Sequence, residues 1–170
     1  MVKFLSAFFI FIVATLLHWV FVEIFAPLDI AVGVMFAFSL VMAAQQGRIG
    51  GYIFGFFSGL FLDFFGNAMF GGYALVFTIM IFWFYKIEDK IDFKEAAPQI
   101  VVAMALNLAL VLIYGLLGSI FAGSFLWQGF KSLVLGSLIT GLLVPVIYVI
   151  VVKYLIFESV KRPHESKSIL

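Results

Sequence analysis

The chain has 170 residues, of which 65% are hydrophobic and 11% charged, with a formal net charge of +1 and a mean hydropathy of +1.24. Soluble domains carry roughly 25% charged residues, so too little polar surface exists here to face water. Near-neutral charge without a basic run argues against nucleic acid as a partner, and the lack of cysteine excludes disulfides, thiolate chemistry and cysteine-ligated metals.

The composition implies an all-α integral membrane protein, and the length admits about six spans of roughly 20 residues with short loops. A first span is expected over 4–22. Its apolar run after Lys3 is longer than the ~7 to 15 residues of a signal-peptide core, and no small-x-small site follows, so it reads as a retained helix. A second span over 28–44 follows Pro27, which suits a first helical turn, and Asp29, which suits the positive end of a helix dipole. Gln45 to Arg48 form a short turn before a third span over 49–65, which Gly66 and Asn67 end. A fourth span over 72–85 is short. The charged segment "KIEDKIDFKEAAP" after it has lysines every four residues, the pattern of a short surface helix with i,i+4 pairs. A fifth span covers 99–121 and a sixth 131–157, kinked at Pro145. Residues 1–157 thus form one transmembrane domain and 158–170 a polar cytoplasmic tail.

Charge encodes orientation. In a six-span chain one side receives Lys3, Arg48, Lys86, Lys90, Lys94, Lys153, Lys161, Arg162 and Lys167, and the other receives Lys131, which puts both termini in the cytoplasm. A five-span alternative folds the third and fourth segments as a re-entrant hairpin, at the cost of separating the basic clusters.

The third span carries the most information. Gly47, Gly51, Gly55 and Gly59 are spaced by four, and the same spacing leads on to Asp63 and Asn67. Residues four apart lie nearly one above another, so the glycines form a groove without side chains. Such stripes let helix backbones approach in lipid. Ser132, Gly136 and Thr140, ahead of Pro145, make a second and weaker stripe on the sixth span, one candidate to fill the groove. Asp63 is about 22 Å from Arg48 along a helix, near the far membrane boundary. Three roles are open to it: accepting hydrogen bonds from free backbone amides in "GNAMFGG" and so tying the third span to the fourth, bonding a partner's helix, or binding an ion, proton or substrate.

The remaining polar residues read as structural. His18 is an interfacial or intrabundle donor rather than a metal ligand, because no second histidine lies in the spans. Asn107 bonds another helix. Trp19 and Trp127 on one side, and Trp83 with Tyr85 on the other, suit aromatic belts. Catalysis needs at least two converging acid, base or cationic groups, and the spans offer one firm carboxylate, one histidine and no arginine. Neither an enzymatic activity nor a cofactor or metal is expected.

The stretch "GFFSGLFLDFFGNAMFGGYAL" resembles the signature of the rod shape-determining protein MreD family, G-x-x-x-G-L-x-x-D with a further glycine eight positions on. Gly55, Gly59, Leu60, Asp63 and Gly71 fill those places, and Pro27, Asp29 and Pro145 add to the likeness. The resemblance implies a non-enzymatic scaffold of the bacterial elongation machinery in the inner membrane. It would bind MreC and, through the complex, meet MreB and the peptidoglycan synthases, a RodA-type enzyme and a penicillin-binding protein. A homodimer is compatible with it. The glycine groove and Asp63 would then dock MreC's membrane helix. The family's helical arrangement is also similar to the substrate-binding components of ECF transporters, so the alternative is a small-molecule-binding transporter component.

Overall fold

The computed structural model describes residues 2–66, 69–121, 123–126 and 129–152, all helix, turn or irregular chain with no strand. α1 (Val2–Phe25) leads into a 3-10 turn (Ala26–Leu28), followed by α2 (Val34–Phe65), α3 (Gly72–Glu88), α4 (Ala96–Phe121), a π-helical turn (Ser132–Gly136) and α5 (Ser137–Ile150). Four stretches are long and apolar enough to cross a membrane: Leu5–Leu28, Val34–Phe65, Ala96–Phe121 and Ser132–Ile150.

The second of these is not straight. At Gly47 the backbone takes φ 77° and ψ 177°, a combination open essentially to glycine. Eight residues of continuous helix would separate Ala43 from Gly51 by about 12 Å. Instead a methyl group on Gly51 would lie 2.7 Å from the Ala43 Cα. The chain therefore doubles back, and α2 is two limbs, 34–46 and 48–65. The Tyr85 hydroxyl holds the reversal from outside, 3.0 Å from the Gly47 carbonyl and 3.2 Å from that of Ala43.

The first limb is the centre of the molecule. Every residue from Val34 to Ala43 is buried, as expected of a helix that is apolar all round. Phe36 meets Phe77 of α3 edge to face, and α4 and α5 close the other sides. By contrast α1 buries Ile10 and Ala14, one turn apart, and leaves Phe8, Phe9, Leu16, Val20 and Ile24 facing outward. Phe11 packs on Phe54 and Phe61, and Trp19 on Phe65, so α1 runs parallel to the second limb.

The sequence-based boundaries need three corrections. Pro27 lies in the 3-10 turn, not in the first turn of the next helix, and Asp29 takes the left-handed conformation at φ 53°. The second helix starts only at Val34, because the amides of Ala31 and Gly33 are taken up by side chains of another helix. The charged segment forms no surface helix: α3 runs to Glu88, then turns lead to Ala96. There the Asp92 carboxylate accepts from the Lys94 amide, a local bond that competes with helix, while Phe93 is buried edge-on to Phe84 and its carbonyl accepts from Gln99 Nε2 at 2.7 Å. Tyr85, expected in an interfacial belt, is buried at the Gly47 turn. Residues 153–157 of the expected last span, the tail, Asn67 and Trp127 lie outside the described residues.

Candidate functional site

The glycine stripe faces α3, which runs antiparallel to the second limb. A methyl group on Gly51 would run into the Tyr85 hydroxyl, one on Gly55 into Ile81 Cδ1, and one on Gly59 would sit 2.5 Å from the Tyr73 carbonyl oxygen and 2.6 Å from the Ala74 Cα. At Gly59 the atoms of α3 that come close are backbone, so there backbone meets backbone. The stripe is thus filled from within the chain by α3, and neither the second small stripe nor a partner's helix occupies it.

Asp63 completes the row. It is 3% exposed, and its two carboxylate oxygens accept from the Tyr73 amide at 2.9 Å and the Ala74 amide at 3.0 Å. Those amides lie in the first turn of α3, where no intrahelical acceptor exists. The acid therefore caps a neighbouring helix at its positive end, although it sits near the C-terminus of its own limb, where the dipole disfavours it. The donors are just beyond the "GNAMFGG" stretch. Gly71, the N-cap of α3, has φ 86°, which a side chain would strain. Gly51, Gly55, Gly59, Asp63 and Gly71 are therefore one device that fastens α3 to the second limb.

The second stripe has a different neighbour. Ser132 Oγ accepts from the Ala31 amide and Thr140 Oγ1 from the Gly33 amide, each at 2.8 Å. Gly136 lets the Ala31 carbonyl come into direct contact. Thr140 donates in turn to the Gly136 carbonyl at 2.7 Å. Irregular backbone within a membrane persists only where protein or a cavity satisfies it, and here Ser132 and Thr140 satisfy the amides of Ala31 and Gly33 while Gly136 makes room. Asn107 Nδ2 donates to Ser137 Oγ at 3.1 Å, joining α4 to α5. Pro145, inside α5, leaves the Gly141 carbonyl without its helical donor.

Beside both devices lies a cavity of about 580 Å³. Its wall comes from the end of α1, the 29–33 segment, the end of the second limb, the start of α3 and the middle of α4. Tyr73 and Tyr114 stack face to face in it with ring centroids 4.0 Å apart. His18 and Trp19 line it from α1, and His18 Nδ1 is buried without a hydrogen-bond partner. Among the described residues no group of three or more histidine, aspartate or glutamate side chains could hold a metal.

Sequence reasoning missed the Tyr85 clasp, the cavity and the use of hydroxyls to satisfy 31–33. One signal was present: Ser132 and Thr140 are hydroxyl residues two turns apart on one face of an apolar span, a pattern that suits acceptors for backbone amides of a neighbouring segment. Comparison with protein families, with curated proteins and with solved structures returned no match.

Proposed function

We propose that this chain is a non-enzymatic scaffold of the bacterial elongation machinery in the inner membrane, related to the MreD family and binding MreC. Through that complex it serves MreB and the peptidoglycan synthases. One observation carries the reading: the residues that make the resemblance, Gly55, Gly59, Asp63 and Gly71, are all engaged in fastening two helices of the chain itself. A motif committed to rigidity rather than to a reacting group suits a part whose work is to hold others in place.

The topology proposed with it has six crossings and cytoplasmic termini. The Gly47 reversal divides α2 into two crossings, and α3, with 17 residues, makes a short one of about 25 Å. Arg48 and Asp89 lie 3.9 Å apart, so the basic turn and the charged loop share one end, as a cytoplasmic face requires. Since α3 fills the glycine stripe, MreC's helix meets an outer surface of the bundle, and the stripe shapes that surface without touching the partner.

The test is depletion in a rod-shaped host together with affinity purification of the tagged chain from neutral detergent. Rounding of the cells and recovery of MreC are expected. Cells that stay rod-shaped and a preparation without MreC overturn the reading.

A further inference from the structure

We propose that the cavity walled by α1, the 29–33 segment, α3 and α4 binds a neutral or cationic aromatic small molecule. This goes beyond the scaffold reading and does not depend on it. At about 580 Å³ the space lies within the ~300 to 1,000 Å³ of small-molecule pockets. Trp19, Phe65 and the stacked Tyr73–Tyr114 pair supply flat apolar faces, which favour a ring over a flexible chain.

Charge narrows the class further. Among the described residues Asp29 is the one charged residue in the wall, it is exposed, and no lysine or arginine lines the space. A phosphate or carboxylate on the ligand would meet repulsion with no compensating cation, whereas an ammonium group would meet an attractive partner and the rings that bind cations. The backbone around the site is irregular too. A left-handed Asp29, irregular chain over 30–33 and Ser132, the first residue of the π-helical turn, line it, and π-turns and broken helices concentrate at ligand sites in membrane proteins.

The test uses the purified full chain in neutral maltoside and three dyes on one ring system: acridine (neutral), 9-aminoacridine (cation) and acridine-9-carboxylate (anion), followed by equilibrium dialysis. Saturable binding is expected for the first two, with the anion weaker by roughly tenfold. Asp29→Asn should weaken the cation about two- to fivefold and leave acridine unchanged. Filling the space with Val111→Trp, or with Val22→Trp at the exposed rim should the first not fold, should abolish all binding. The proposal is overturned if no dye saturates, if the anion binds as well as the cation, if binding survives filling in a folded variant, or if the protein in nanodiscs holds a lipid chain in this space.

Discussion

Removing the acid at position 63 is the sharpest perturbation of the fold. Asp63→Ala strips the acceptor from two amides, the half-buried one of Tyr73 and the buried one of Ala74, now bonded at 2.9 and 3.0 Å. A buried donor left unsatisfied costs about 1 to 3 kcal/mol, whereas interhelical hydrogen bonds within membranes average about 0.6 kcal/mol because the separated helices find other partners. Two bonds therefore place the loss at roughly 1 to 6 kcal/mol, above the lower end because helix-end amides have no alternative acceptor. Asp63→Asn keeps one acceptor oxygen and turns an NH2 group toward the second amide, so it should lose about half as much. Reversible unfolding in mixed micelles, followed by circular dichroism, measures both, with the exposed Asp29→Asn as control. Amide exchange adds a local readout: Tyr73 and Ala74 should lose protection before the middle of α3 does. A loss below about 0.5 kcal/mol for Asp63→Ala, or unchanged protection at those two amides, would refute the cap.

The close approach at the stripe predicts a contrast. Gly59→Ala pushes a methyl against backbone, the Tyr73 carbonyl and Ala74 Cα, and should cost about 1 to 3 kcal/mol in the same unfolding assay; Gly55→Ala meets only the tip of Ile81, and Ile81→Ala should rescue it but not Gly59→Ala. At the reversal, Gly47→Ala has open space around the new methyl yet forces a φ of 77° on alanine, so a loss of about 1 to 3 kcal/mol with no change in packing volume is expected. A Gly47→Ala protein as stable as the parent would mean that the two limbs do not fold back there.

Much of this fold could be read in the residues, and the limits have physical causes. Spacing by four placed Gly51, Gly55, Gly59 and Asp63 on one face, since helical geometry is local. The same pattern says nothing about which surface arrives to fill it, and α3 rather than the Ser132–Gly136–Thr140 face does so. Asp63 was legible as a group in want of amides because an acid in an apolar span must find partners. Its donors lie ten and eleven residues on, close enough for a hairpin to deliver them. The delayed start at Val34 was not legible. Pro27 and Asp29 look the same whether they open a helix or precede an irregular segment, and the choice is made by hydroxyls more than 100 residues away. Tyr85 shows the same limit: a tyrosine near a helix end suits an interface until a specific turn comes within reach of its hydroxyl.

The encircled limb 34–46 bears on how the molecule comes together. Surrounded on every side in the finished protein, it must still be made before the helices that enclose it, and so must wait among lipid tails. Its sequence permits that delay: over 34–44 the limb is apolar on all faces, and the hydroxyl of Ser39, the polar exception there, donates to the Met35 carbonyl of its own preceding turn at 2.8 Å and so makes no demand on later segments. The neighbouring limb cannot wait in the same way, because its acid stays unmatched until α3 emerges. Assembly is thereby ordered, with the acid-bearing pair closing early and the patient central rod enclosed last.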